Sequence, residues 1–366
     1  METRHTQADG TEPIRLLHSA DLHLRRVGDE RWQALQALIQ KGNEQGVNAL
    51  FISGDLFDSG VKAVQLRAEI RAELEQAAFP VYIIPGNHDQ QAYPEGTFLG
   101  GNVHLIQHLH RPQRLGNLWI WGFPFQDLKS QDILHALHQA AAQAEEGGTH
   151  LLMLHGELLD ITGGWAEYGE EGQQSYFPIR LAYFQDLPWQ YVLAGHFHTR
   201  FDVHRIEGEK YFVYPGSPVS VSRKEVGRRQ AHLLEIGQPP RSVPLDTFHY
   251  ERREFVLNPG PQADFLESVQ AAVDQAHPQA QLLVSVRGYF DREQIGLNEA
   301  QLKQVLERFL GDRGELDFQA VDVQQFLATD LVTAFEGLLA EEEEPAEVKA
   351  LARDLFFQAM IKANAD

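Results

Sequence analysis

The chain has 366 residues and no cysteine, and its 31 lysines and arginines stand against 52 aspartates and glutamates, a formal net charge of −21. Without thiols it can form no disulfide, thiolate zinc site, iron–sulfur cluster or cysteine nucleophile, so any metal must be held by His, Asp, Glu or Asn. The acidic balance argues against coating nucleic acid or anionic membrane by bulk charge. No apolar run is long enough to span a bilayer and the first residues do not read as a signal peptide, so a cytoplasmic protein with no membrane partner is expected.

In chain order, residues 1–12 read as a polar, disordered segment. Short apolar runs then recur at 14–20, 49–53, 81–85, 118–124, 150–154, 190–194, 211–214 and 231–236. Their length and their Leu, Ile, Val and aromatic content predict strands, several stopped by glycine, as strands buried on both faces are. Residues 30–41 and 62–77 repeat apolar side chains at three- and four-residue steps, the helical period. Strands alternating with helices predict a layered α/β domain over 13–245, with 165–172 and 173–186 as loops. Prolines between 239 and 261 then punctuate the chain, and a smaller α/β domain is expected over 246–322. Its predicted parts are strands 253–257 and 282–286 and helices 265–275 and 299–310, the last opened by Asn298 with Gln301 at capping-box spacing. A C-terminal helical segment, 323–366, carries amphipathic helices at 323–339 and 346–362, split by Glu341 to Glu344 and Pro345, a solvated turn.

Five short motifs follow five of the predicted strands: Asp21-Leu22-His23, Gly54-Asp55-Leu56-Phe57-Asp58, Gly86-Asn87-His88-Asp89, His155-Gly156 and Gly195-His196-Phe197-His198. The carboxyl ends of strands in an open α/β sheet are where ligands bind, so these polar side chains can meet at one place. The set is mixed nitrogen and oxygen with no sulfur, which suits Mn²⁺, Fe²⁺ or Zn²⁺ better than Mg²⁺ or Ca²⁺. In Asp21-x-His23 alternate residues of an extending strand share a side, so one metal can take both. His196-x-His198 repeats that device, or its imidazoles diverge to neighbouring metals.

Asp-x-His, Gly-Asp-x-x-Asp, Gly-Asn-His-Asp, His and Gly-His-x-His in this order resemble the calcineurin-like metallophosphoesterases, over residues 14 to about 236. The wording Ser19-Ala20-Asp21-Leu22-His23, Gly54-Asp55-Leu56-Phe57-Asp58, Gly195-His196-Phe197-His198 and Tyr214-Pro215-Gly216-Ser217-Pro218 is similar to the DNA-repair nuclease branch, the bacterial SbcD and meiotic-recombination-eleven type. The resemblance implies an αββα sandwich with a smaller α/β capping domain, C-terminal helices, and two divalent metals, Mn²⁺ first with Fe²⁺ or Zn²⁺ as alternatives. It implies one metal on Asp21, His23 and His198, the other on Asn87, His155 and His196, and Asp55 bridging. It further implies that His88 acts on the substrate phosphate, that Asp89 orients His88, and that Asp58 supports the ligands from behind. Archaeal and eukaryotic relatives carry a histidine where Asp58 stands, which puts that histidine's role on the DNA backbone in doubt here.

His104, His108 and His110 have no carboxylate at ligand spacing and read as surface or ordinary packing, and His135 and His138, three residues apart on one helix face, read as solvated helix surface rather than a metal site. Arg223, Lys224, Arg228 and Arg229, with Arg200 and Arg205, form a basic cluster that could track a phosphate backbone or be a solvated hairpin. Residues 260–366 carry −12 of the net charge, so that end is a poor DNA surface and a better protein contact. The leading expectation is a DNA exo- or endonuclease of the SbcD type acting in DNA repair, as a homodimer and with an SbcC-like SMC-type ATPase. The competing expectations are a phosphodiesterase or phosphatase for a small nucleotide or other phosphoester, and a subunit whose main work is docking the ATPase through Leu331, Phe335, Leu338, Leu351, Leu355 and Phe356, unless these stripes only close the second domain's core.

Overall fold

The computed structural model describes residues 13–160, 177–258, 261–324 and 330–364. The segment 1–12, the loop stretch 165–176 and residues 325–329 of the expected 323–339 helix lie outside the described residues. The chain divides into two compact units, Met1–His249 and Tyr250–Asp366.

The first unit holds two six-stranded sheets. One has the order β14-β13-β1-β2-β3-β4, from β1 (Arg15–Ser19), β2 (Ala49–Ser53), β3 (Val81–Ile84), β4 (Val103–Leu105), β13 (Gln230–Glu235) and β14 (Arg241–Pro244). The other has the order β11-β12-β10-β7-β6-β5, from β5 (Gln113–Leu115), β6 (Leu118–Phe123), β7 (Thr149–His155), β10 (Trp189–Gly195), β11 (Val203–Arg205) and β12 (Tyr211–Val213). A separate pair joins β8 (Glu157–Leu158) and β9 (Pro178–Ile179). The central strands β1, β2 and β3 run parallel, as do β6, β7, β10 and β12.

Burial explains the layering. One set of alternate side chains, including Leu16, Phe51, Tyr82, Ile84, Leu151, Met153 and Leu193, packs in a core shared by both sheets. The other set faces helices: Leu17, Leu50 and Ile52 meet α1 (Glu30–Gln45) and α2 (Gly60–Leu74), and Leu152, Leu154 and Val192 meet α3 (Ser130–Ala141). The result is the expected helix, sheet, sheet, helix sandwich. Strands buried on both faces cannot slip register without losing one whole face. Local signals agree: Asp29 caps α1 by accepting from Trp32 N at 2.9 Å, and Gly46 ends it in the left-handed conformation.

The second unit is a three-stranded sheet in the order β15-β16-β17, from β15 (His249–Leu257), β16 (Ala280–Phe290) and β17 (Gly314–Asp322), with α4 (Phe265–Asp274) and α6 (Glu299–Leu310) packed on Leu282, Val284 and Val286. A short α5 (Arg292–Ile295) lies between them in sequence. The capping box expected at Asn298 and Gln301 forms, with both hydrogen bonds at 3.0 Å. Two helices follow, α7 (Asp330–Glu341) and α8 (Ala346–Asn364), the exposed Glu342 to Glu344 and Pro345 leading into α8. Among the described residues no helix is long and apolar enough to cross a membrane.

Candidate metal centre

The five motifs lie at or just after the ends of β1, β2, β3, β7 and β10, neighbouring strands of the two facing sheets. Asp21 N donates to Gly54 O at 3.1 Å and His23 N to Asp55 O at 2.9 Å, so the first two motifs are zipped together by backbone. Asp55 Oδ1 accepts His88 N at 2.9 Å, which draws in the third. The fifth is held by His196 N, 3.1 and 3.0 Å from the two carboxylate oxygens of Asp21. Glycines permit these approaches: a Cβ at Gly86 would overlap the Asp55 carboxylate, and one at Gly54 the His155 ring.

The side chains then converge. His23 Nε2 faces His198 Nε2 at 3.0 Å and lies 3.7 Å from Asp55 Oδ2, while His155 Nε2 is 3.4 Å from the same oxygen and 2.8 Å from Asn87 Oδ1. Three sets of ligand atoms each fall within 4.8 Å of one another: Asp21 with His23 and His198, His23 with Asp55 and His88, and Asp21 with Asp55 and His155. Asp55 belongs to two of them. His196 joins none of the three; its ring packs edge-on against His155, with centroids 5.4 Å apart. Asp21, His23, Asp55, His155, His196 and His198 are all buried, and His88 is exposed.

Backbone and charge point the same way. Five described residues other than glycine have positive φ, and four are candidate ligands: Asp21 at 56°, His23 at 49°, Asp55 at 51° and His196 at 110°. Such conformations cost on the order of 1–3 kcal/mol each and persist where the surroundings enforce them. Burial raises the Asp21 carboxyl to about 6. Burial also opposes ionisation of Asp55, but His155, His23 and His88 overcome it and hold that carboxyl far below the usual range. His155 moves the other way: burial lowers it, and Asp55 and Asp21 more than reverse this, to about 10. Asp55 thus keeps its charge at the centre of the cluster, and its Oδ2 is buried with no hydrogen bond in ordinary geometry. Aspartates, histidines and an asparagine around such an oxygen fit a pair of divalent cations.

Supporting residues complete the site. His155 Nδ1 donates to Ser53 O at 2.8 Å, which leaves Nε2 directed at Asn87 and Asp55. Asp58 reaches the site through Arg31, whose Nη1 donates to Asp58 Oδ1 at 2.9 Å and to His23 O at 2.6 Å. Asp89 requires a correction. Its carboxylate accepts from Gly86 N at 2.8 Å, Phe57 N at 3.2 Å and Tyr93 Oη at 2.7 Å, so it braces the loop that carries Asn87 and His88 rather than the His88 imidazole.

One member of the basic cluster also needs correcting. Arg229 is fully buried, donating to Ser217 O at 3.0 Å and to His198 O, so it cannot meet a phosphate backbone. Arg228 pairs with Asp246, Arg205 donates to Gly208 O, and Arg200 lies 3.6 Å from Asp202. Arg223 and Lys224 are exposed. Sequence reasoning missed Glu225, which is buried beside His198 with Oε1 3.1 Å from Nδ1; its only sequence signal was a lone acid inside a basic run.

A family match agrees with this geometry. Residues 14–200 match the family described as calcineurin-like phosphoesterase. No curated protein matches the chain. Among solved structures it is similar to TT1561 of Thermus thermophilus, at 12% identity over 63% of this chain and 99% of that one, TM-score 0.39. It is also similar to a dimetal phosphatase from Danio rerio, at 11% identity over 64% and 96%, TM-score 0.43. A third is a phosphoesterase from E. coli, at 13% identity over 61% and 89%, TM-score 0.28.

Proposed function

The chain belongs to the calcineurin-like phosphoesterase family and is a metal-dependent phosphoesterase, and on that premise we propose that it is a nuclease of the SbcD type that hydrolyses the DNA backbone in repair. Asp21, His23 and His198 would hold one divalent ion, Asn87, His155 and His196 the other, with Asp55 shared and Mn²⁺ the native metal. Bound, such a pair lowers the pKa of the attacking water and neutralises the phosphoryl oxygens.

The chain's own residues supply the rest. Asp55 Oδ1 fixes the backbone of His88, and the exposed His88 ring stands edge-on to His23 with centroids 4.8 Å apart. From there an imidazolium can steady charge on the phosphoryl group or return a proton to the leaving oxygen. Asp89 keeps that loop in place through Gly86, Phe57 and Tyr93.

The DNA reading is carried by the segment that follows β12. Its Ser217 Oγ lies 2.8 Å from Asp21 O, its Glu225 touches His198, and its exposed Arg223 and Lys224 immediately precede Glu225. A cationic turn anchored to candidate ligands suits a polyanion. The test is hydrolysis of single- and double-stranded DNA with Mn²⁺ beside His88→Ala and Asn87→Ala; inactivity on every DNA form would reject the nuclease assignment.

A second reading, a small nucleotide or other phosphoester as substrate, gains from the burial of Arg229 and the pairing of Arg228 with Asp246, which trim the basic surface. Relative rates on bis(p-nitrophenyl) phosphate, nucleotides and DNA separate the two. Homodimerisation and docking of an SMC-type ATPase remain part of the proposal. On α7 and α8, Phe335 stacks on Phe356 with centroids 3.9 Å apart, while Leu331, Leu338, Leu351 and Leu355 are more than half exposed. The Phe335–Phe356 contact thus pairs the two helices, and the exposed leucines are the surface proposed for the partner. Capture of the ATPase by the wild type and not by a Leu351→Ser, Leu355→Ser variant supports docking there; equal capture rejects it.

A further inference from the structure

The metal-site reading leaves two fully or almost fully buried charged residues without a task, Glu225 and Arg229. Both close on His198. Glu225 Oε1 lies 3.1 Å from His198 Nδ1, and Oε2 accepts Val221 N at 2.7 Å. Arg229 donates to the backbone oxygen of His198 and to Ser217 O at 3.0 Å, and its guanidinium lies 4.7 Å over the Phe201 ring. Ser217 N also donates to His198 O at 2.9 Å. One short segment thus grips the side chain of His198 with a carboxylate and its backbone with a cation.

Burying two charges is costly unless each is held by specific partners, so the surplus of contacts here calls for a reason beyond packing. The chemistry supplies it. An imidazole whose Nδ1–H is taken by a carboxylate is fixed in one tautomer and one ring orientation, with the Nε2 lone pair directed away from that carboxylate. His198 Nε2 is the atom that faces His23 and lies within the cluster containing Asp21. His155 is set the same way by a backbone carbonyl, Ser53 O, which no side-chain substitution removes; at His198 the orienting group is a side chain and can be changed.

We infer that Glu225 is a positioning residue: it holds His198 as the Nδ1-protonated tautomer with Nε2 presented to a divalent cation, and Arg229 locks the segment that carries Glu225 against His198. The inference rests on the metal-site reading and adds to it a residue outside all five motifs.

Three variants test it. Glu225→Ala removes the acceptor. Glu225→Gln keeps the volume but cannot accept from both His198 Nδ1 and Val221 N. Ser222→Ala removes a different partner of the same carboxylate oxygen, 3.1 Å away, without touching His198. Calorimetric titration with Mn²⁺ is expected to show affinity reduced roughly 10–100-fold in Glu225→Ala, less in Glu225→Gln, and within about twofold of wild type in Ser222→Ala. Nitrogen-15 spectra of the metal-free proteins should show His198 protonated at Nδ1 in the wild type and shifted toward Nε2 in both Glu225 variants. Glu225→Gln keeps the test open should Glu225→Ala not fold. Unchanged Mn²⁺ affinity in the Glu225 variants, an unchanged His198 tautomer, or an equal loss in Ser222→Ala would overturn the inference. A wild type that binds no Mn²⁺ would overturn the metal-site reading instead, while the tautomer spectrum still decides whether Glu225 orients His198.

Discussion

In the unit that ends at His249, Asp21, His23, Asp55, His155, His196 and His198 are all buried, and four of these six hold positive φ without being glycine. In the unit that begins at Tyr250, the buried polar residues among those described are Gln262 and Asp322, and every positive φ among them belongs to a glycine, at 288, 296 and 311. Gln262 there is satisfied by backbone at Asn258, Tyr289 and Asp291. Both units use the same materials, a sheet with helices packed on its apolar face, and the second buries, among its described residues, a single carboxylate, Asp322, 3.7 Å from Arg292, so the fold itself does not require a buried cluster of acids and imidazoles on strained backbone. Where they occur together they mark chemistry, and the second unit shows what the chain builds when no such demand is made.

The sharpest way to break this contrast is Asp55→Asn. Asparagine accepts φ near 51° and has similar volume, so the metal-free protein should melt no lower than wild type, while phosphoesterase activity should fall by roughly 10³-fold or more. A matched loss of stability would mean that Asp55 serves the fold. In the second unit the expectation reverses: Leu306→Ala, in the core beneath β16, should cost about 2–5 kcal/mol in urea denaturation.

The pH dependence of the first unit offers the next effect. His232 is buried opposite His18 on the neighbouring strand, and burial lowers it to about 4. Its folded value lies below the unfolded 6.5, so the unfolded chain takes the proton first: this contribution is intact above pH 6.5 and is lost as pH falls toward 4, about 3 kcal/mol in all. Chemical denaturation across that window should show a shallower acid loss in His232→Gln than in wild type. His88→Ala should lower kcat roughly 10²-fold and leave Mn²⁺ stoichiometry and melting temperature unchanged, because the ring is exposed. Smallest of all, Leu351→Ala on exposed α8 should change stability by no more than about 0.5 kcal/mol.

The central strands and their motifs were legible because strands buried on both faces leave continuous apolar runs, and because each polar motif sits where such a run stops. Strand β17 was not: its Gly-Glu-Leu-Asp-Phe-Gln sequence places Glu315, Asp317 and Gln319 on an exposed face, so charge masks the strand. Arg229 read as one more cation of a surface cluster, and only contact with His198 O and Phe201 reveals it as internal. Asp89 was placed beside the right loop with the wrong partner, since adjacency in sequence to His88 says nothing about which backbone amides its carboxylate meets. Side-chain partners far apart in sequence are set by packing, and packing is what a single sequence hides.

The central claim is that the strand ends of the first unit assemble a two-metal site around Asp55. Anomalous diffraction from crystals grown with Mn²⁺ tests it most directly. The account predicts two peaks roughly 3.5–4 Å apart, both within coordination distance of the Asp55 carboxylate, one shared with Asp21, His23 and His198 and the other with Asn87, His155 and His196. No peak there, or a single ion that leaves Asp55 uncoordinated, would contradict it.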